Sequence, residues 1–416
     1  MTDRAWLSQM KFSPRQTFLA LSYRNYRLWF YGQITSLFGT WMQITAQGFL
    51  IYELTRSPAY LGYVTFAAGL PSWLFMLVGG VAADRISRRT LMVITQTSMM
   101  ILAFILAGLT FTGLVQPWHI ILLAFLLGIA NAFDAPARLA LAPELVDKPD
   151  LTNAIALNAT MFNTATVLGP TIGGLIYAAF GPGWCFMING FSFIAVIVAL
   201  LLMDLPKSSK PDRRRPSAFT EIRQGFAYTF AKPVILALMG IVLMTTTFGF
   251  SFVPLLPAWS VDVLGGDVRT NGLLYSAQGL GALIGALGIA SLGRFNFRGK
   301  LLSAGTIFFP ILLIIFSLLR WLPLSLLTLA GVGAALVLVM NLANSLVQTS
   351  TEDELRGRVS SIYTLTFFGF MPLGALLMSQ IAENTSEPLA LQIGGFVLLA
   401  FAGFLWIFFP QVRKLK

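Results

Sequence analysis

Twelve long apolar runs, separated by loops that are alternately rich in basic residues and nearly free of them, leave this chain few folds to choose from. The runs fall at approximately 28–52, 58–82, 90–113, 119–141, 153–180, 183–203, 233–257, 271–292, 301–319, 322–346, 359–381 and 388–409. Each is long enough, as a helix rising about 1.5 Å per residue, to cross about 30 Å of hydrocarbon. The basic residues set the orientation. With the N-terminus placed inside, 25 of the 28 lysines and arginines fall in cytoplasmic segments, and only Arg56, Arg269 and Arg320 lie outside. The expectation is an all-α polytopic membrane protein, twelve transmembrane helices in two six-helix halves, integral to the plasma (cytoplasmic) membrane, with both termini cytoplasmic.

Composition supports the class: 56% of residues are hydrophobic and 11% charged, against roughly 25% charged in soluble domains. The net charge of +11 follows from the topology, with attraction to anionic membrane lipids as a minor addition, so no nucleic-acid partner is implied. A single cysteine, Cys185, precludes an intramolecular disulfide. The basic leader before Leu28 lacks the apolar core of a cleavable signal.

The longest polar interval divides the chain in the middle. Residues 204–232 read as a cytoplasmic linker ending in a surface-lying amphipathic helix at about 217–230, with Phe219, Ile222, Phe226 and Phe230 among charges. Residues 1–203 and 233–416 are then the two halves. They echo each other: a loop from Pro143 to Thr152 leads into a run carrying Gly169-Pro170, and a loop from Thr351 to Arg358 leads into one carrying Pro372-Leu373-Gly374. Internal duplication of this kind is what a transporter with two rocking halves shows.

One loop combines glycine, acid and arginines: Gly80-Val81-Ala82-Ala83-Asp84-Arg85-Ile86-Ser87-Arg88-Arg89. Gly80 is expected to allow close helix packing near the turn, Asp84 to face helix N-termini or basic partners, and Arg85, Arg88 and Arg89 to hold the loop inside. An ordinary positive-inside loop explains the same spacing. The stretch resembles the signature of the major facilitator superfamily, approximately G-x-L-A-D-R-x-G-R-R, with Ala82 and Ser87 at positions where leucine and glycine are commoner. Arg24-Asn25-Tyr26-Arg27-Leu28-Trp29-Phe30, Phe133-Asp134-Ala135-Pro136-Ala137-Arg138 and Glu354-Leu355-Arg356-Gly357-Arg358-Val359 resemble the branch that includes enterobactin exporters and some macrolide exporters, of the transmembrane secretion effector type.

In superfamily antiporters a G-P-x-x-G-G element on the fifth helix accompanies export, and Gly169, Pro170, Gly173 and Gly174 match it. Physically, the proline deletes a helix hydrogen bond and the glycines leave a smooth face along which the helix can bend or slide, although packing alone accounts for the same residues. Asp134 is the clearest acid inside a span. If the fourth run enters near His119, Asp134 lies about 22 Å and Arg138 about 28 Å along it, toward the cytoplasmic edge. Four residues apart, the two can pair on one helix face, as a structural or gating pair or with Asp134 as a proton carrier. Many proton-coupled relatives carry an arginine further up this helix. Here that region reads Leu122 to Gly128 without one.

Uncharged polar and aromatic residues near mid-span are the candidates for substrate contact: Gln43, Gln47, Asn163, Thr246, Gln278, Tyr363, Phe367 and Phe368. Each is also a candidate for interhelical bonding or packing. A pocket with sparse amides and no charge suits an amphipathic organic molecule better than a phosphate or an inorganic ion. One histidine, one cysteine and no phosphate-cradling glycine loop argue against an enzyme or a primary pump, and no cofactor or metal is implied. The expected function is secondary active export of a siderophore- or drug-like small molecule by alternating access in a monomer, with protons as a candidate co-substrate. Import or facilitated passage of a small apolar metabolite or lipid on the same fold is the alternative.

Overall fold

A computed structural model describes residues 17–204, 218–292 and 295–415. The basic leader before residue 17, the Arg213-Arg214-Arg215 triplet and Arg294 lie outside it, as do the side chains of Asp84 and Arg85. Twelve long helical segments follow one another: α1 (Arg24–Thr55), α2 (Pro58–Arg85), α3 (Arg88–Phe111), α4 (Pro117–Leu141), α5 (Leu151–Phe180), α6 (Pro182–Leu202), α7 (Pro233–Val263), α8 (Val268–Ser291), α9 (Arg298–Leu318), α10 (Leu322–Thr349), α11 (Arg356–Asn384) and α12 (Glu387–Phe408). An amphipathic linker helix (Ala218–Ala231) precedes α7, and no strand occurs among the described residues. Nine of the twelve are long and apolar enough to cross a membrane by length and composition. The others, α1, α2 and α5, run to 32, 28 and 30 residues.

Local chemistry starts and stops these helices. Proline opens α2, α6, α7, α10 and α12, where its missing N–H costs nothing. Asp267 and Thr270 form a reciprocal cap on α8. Gly181, at φ 90°, takes α5 into α6.

Two expectations change. The charged stretch after the second run is mostly helix: α2 continues through Arg85, and only Ile86 and Ser87 separate it from α3, which Ser87 caps by accepting from Thr90 N at 3.2 Å. A serine serves here because the turn needs a cap rather than a left-handed residue. The seventh segment is irregular where a single helix is expected. Regular turns end at Met244, and a π turn (Thr245–Gly249), a 3-10 stretch (Phe250–Leu255) and a second π turn (Trp259–Val263) follow. Pro254 and Pro257 each remove a backbone donor, and Thr246 Oγ1 bonds back to Val242 O at 2.8 Å, so the i to i−4 ladder is broken repeatedly.

Each half packs by one scheme: α2 lies on α4 and α8 on α10, α3 joins α4 and α6, and α9 joins α10 and α12. The halves meet along two seams, α2 against α11 and α5 against α8. Glycine makes both seams close. A Cβ at Gly62 would lie 2.7 Å from Ser379 Cβ, one at Gly69 2.1 Å from Pro372 Cγ, one at Gly272 2.6 Å from Pro170 O and one at Gly279 3.0 Å from Thr166 O. Gly62 and Gly69 recur as Gly272 and Gly279 at a constant offset of 210 residues, the separation that also relates Tyr52 of α1 to Asp262 of α7. Tyr52 and Asp262 hydrogen-bond each other. Residues at equivalent positions meet in this way where a pseudo-twofold axis passes between halves.

Candidate substrate path and gates

The two ends of the bundle are built differently. At the end away from the chain termini and linker, here the far end, polar side chains cross between the halves. Tyr52 donates to Asp262. Glu383 of α11 accepts from Ser57 Oγ at 2.6 Å and from Ala59 N at 3.1 Å, so an acid of one half caps the N-terminus of a helix of the other. Gln380 Nε2 donates to Tyr63 Oη at 2.8 Å, and Thr171 and Ser276 hydroxyls bond at 2.7 Å across the α5/α8 seam. Beneath them one apolar core runs through both halves, with Ile51, Phe49 and Tyr177 packed in the same cluster as Ala258 and Val268.

At the linker end the ties among the described residues stay within one half or join the linker to a half. Arg88 bonds Glu144 and Ala140 O, closing α3 onto the end of α4. Arg89 donates to Met203 O at 3.2 Å and Leu201 O at 2.5 Å, satisfying carbonyls that the C-terminus of α6 leaves without helical partners. Arg24 pairs with Asp204, and Lys232 with Glu352 at 3.5 Å. Among the described residues no hydrogen bond or ion pair joins the halves at this end. Gly80 does not make the close contact expected of it: a Cβ there would meet nothing within 4 Å, whereas one at Gly79 would lie 2.3 Å from Ala132 O of α4. The glycine that packs is the neighbour, because one residue turns the side-chain direction by about 100° around the helix.

The G-P-x-x-G-G residues serve two faces of α5. Gly169 and Gly173 admit α1, with a would-be Cβ 2.7 Å from Trp41 Cβ and 3.0 Å from Met42 Cα. Pro170 and Gly174 face α8, a Cβ at Gly174 lying 2.7 Å from Val268 O.

Asp134 is 1% exposed. Its Oδ1 accepts from Thr95 Oγ1 at 2.9 Å and Gln96 Nε2 at 3.0 Å, both on α3, and its Oδ2 lies 3.7 Å from Arg138 Nε. Two donors and a cation offset the cost of burying this carboxylate.

The expected substrate contacts separate into two groups. Gln43 accepts from Asn189 Nδ2 at 2.7 Å and reaches Gln47 at 3.5 Å, which places both amides on the seam between α1 and α6. Thr246 bonds its own helix, and Tyr363 donates to Met340 O of α10 at 3.2 Å. Asn163 and Gln278 are half-buried, and Phe250, Phe367 and exposed Phe368 form an edge-to-face run with centroids 5.6 and 5.0 Å apart. A cavity of about 360 Å³ opens elsewhere, between α1, α4 and α5 near the linker end, and contains Trp29, Gln33, Arg138 and Asn158. Sequence reasoning passed over Gln33 and Asn158 and met Trp29 only as part of the Arg24 to Phe30 motif. The available signal was Gln33 and Asn158, amides within otherwise apolar helices.

Two six-helix bundles meeting along α2/α11 and α5/α8, bolted at one end, are the architecture of a membrane transporter of the major facilitator superfamily. A profile described as transmembrane secretion effector matches residues 16–415, and the chain belongs to that family. An enterobactin exporter of Salmonella choleraesuis is 25% identical over 378 residues, covering 88% of this chain and 87% of its own. One of Shigella boydii serotype 18 is 26% identical over 428 residues, covering 100% and 97%. Among solved structures, a mutant of the nucleoside transporter NupG superposes with a TM-score of 0.74 at 14% identity, covering 94% of this chain and 100% of that one. A bacterial homologue of the human lysosomal transporter Spinster, inward-facing and occupied, gives 0.70 at 16% identity, covering 94% and 98%. At these identities the solved structures speak to the fold alone.

Proposed function

We propose that this protein exports an amphipathic organic molecule by alternating access, with its termini and linker in the cytoplasm and its described conformation open to that side. The observation that carries the reading is the asymmetry of the two ends: among the described residues, every polar bond between the halves lies at the far end or on the outer part of the seams. Relatives bearing the name of enterobactin exporters support the outward direction. On this reading residues 1–203 and 233–416 are the rocking units, 204–232 tethers them, and α5 slides on its two glycine faces. Gly80, Asp84, Arg85, Arg88 and Arg89 belong to the contact that closes the linker end in the alternate state. Asn163, Gln278, Phe367 and Phe368 meet substrate, whereas Gln43, Gln47, Thr246 and Tyr363 order the wall. Asp134 with Arg138 is chiefly a structural pair.

Accumulation of a fluorescent amphipath in inverted membrane vesicles, with and without a protonophore, tests direction and coupling together. Export requires ATP-independent, gradient-dependent uptake into such vesicles; uptake only into right-side-out vesicles would establish import. Orientation is tested separately by an impermeant thiol reagent, since Cys185 is buried and gives little background. Leu114→Cys, 64% exposed at the far end, should react from outside intact cells, and Gln224→Cys on the linker helix should react only after the membrane is opened.

A further inference from the structure

The cavity between α1, α4 and α5 is lined on its polar side by donors. Trp29 and Gln33, 2% and 3% exposed and four residues apart on α1, carry an indole N–H and an amide N–H₂ that are sealed from solvent and have no acceptor among the described residues. Arg138, from α4, is held at its Nε by Asp134, and among the described residues nothing else accepts from its guanidinium. Asn158, from α5, uses its carbonyl oxygen to accept from Tyr26 Oη at 3.3 Å, which leaves its N–H₂ as a donor. Leu37, Ile155, Met161 and Phe162 supply an apolar wall. Asp134, the carboxylate paired with Arg138, is already bonded to Thr95 and Gln96 as well.

A buried donor without an acceptor is destabilising, so two beneath one cavity wall call for an acceptor that the described residues do not supply. A guanidinium beside them favours a planar oxyanion, which it can bind through two parallel N–H bonds, and the apolar wall favours a ring or chain attached to it. We infer that this cavity recognises the anionic end of an organic molecule, a carboxylate or phenolate on an apolar body. Cationic amphipaths are bound less well because Arg138 repels them, and uncharged ones because a neutral oxygen meets the donors and the guanidinium with weaker hydrogen bonds than an oxyanion. The inference rests on the exporter reading and names the polar end of its substrate.

The test uses the full-length protein in dodecyl maltoside and compares 2-naphthoate with its methyl ester and with 2-naphthylmethylammonium by titration calorimetry. Naphthoate is expected to bind at least roughly tenfold more tightly than either, the factor that one charge-assisted hydrogen bond supplies. Gln33→Leu and Trp29→Phe should each weaken naphthoate several-fold and the ester less, and Arg138→Gln should remove the preference. Because Arg138→Gln also unpairs Asp134, Gln33→Leu is the decisive variant, with Arg320→Gln at the far end as the control. Equal binding of ester and naphthoate overturns the assignment. So does unchanged naphthoate binding in both Gln33→Leu and Trp29→Phe, since the two donors then serve a protein acceptor in the alternate conformation. The expected binding pattern without naphthoate accumulation in inverted vesicles upholds the site and counts against export.

Discussion

The far end and the linker end use the same currency of arginines, acids and helix termini, but they connect different things. At the far end Glu383 caps a helix of the opposite half and Tyr52 reaches Asp262 across the pseudo-twofold axis, above an apolar core shared by both bundles. At the linker end Arg88 and Arg89 spend their hydrogen bonds on α4 and α6 of their own half, over a core confined to that half. On the proposed reading, one end is a gate held shut and the other a pair of rigid lips. Rigid lips suit an alternating mechanism, because a bundle that rocks as a unit must hold together where it loses contact with its partner.

If the lips are rigid through in-half bonding, the largest loss should come from their buried ion. Asp134→Ala would leave Arg138 without its counter-ion and strand Thr95 and Gln96, and we expect a loss near the lower end of the ~3–5 kcal/mol typical of broken buried pairs, since Arg138 is partly solvated. Lower thermal stability in detergent reports it. A joint Asp134→Asn, Arg138→Gln change should recover part of the loss. Stable Asp134→Asn protein that exchanges substrate but cannot concentrate it would instead make Asp134 the proton carrier.

Next in size come the seams. Gly272→Val would drive a branched side chain against Pro170 O, and Gly69→Val one against the Pro372 ring, at an overpacking cost of about 1–3 kcal/mol. Both should favour the state in which the far end opens, read as longer spin-label distances across the outer ends of α2 and α11. Gly80→Val, with open space around it in this conformation, should leave those distances alone. If all three shift them equally, the contrast between the ends is not in the seams. Tyr52→Phe removes one hydrogen bond to a carboxylate, worth about 1.5–3 kcal/mol, and should move the same equilibrium by roughly tenfold or more. No change in distance distribution would make that bond ornamental.

Much of this architecture is legible in the sequence because its cause is local. Apolar length locates α1 to α12, and the helix expected at about 217–230 is found at Ala218–Ala231. What was not legible depends on what faces what. Gly79 and Gly80 are indistinguishable until α4 is placed beside one of them. Gln33 and Gln43 read alike as amides in an apolar helix, and only the position of Asn189 on α6 shows which is already bonded. The repeat of Gly62 and Gly69 as Gly272 and Gly279 is present in the letters, yet glycine is common enough in membrane helices that the match acquires meaning only when both pairs lie on seams.

The smallest expected effect concerns Arg89, and it separates an in-half tie from a latch between halves. Its guanidinium meets the last carbonyls of α6 at Leu201 and Met203, where a helix C-terminus carries partial negative charge and unpaired acceptors. Arg89→Gln keeps some hydrogen-bonding capacity while removing the charge, so the cost should be about 0.3–1 kcal/mol, the usual size of a charge at a helix end. If the tie acts within the half, the variant should lose a little thermal stability, and high salt should shrink the difference from the parent protein. Spin-label distances at the far end should not move, because among the described residues Arg89 makes no hydrogen bond or ion pair with the opposite half in this state. A shift of those distances with unchanged stability would show that Arg89 acts chiefly in the alternate state, where the lips close, and the linker end would then be a second gate of the same kind as the first.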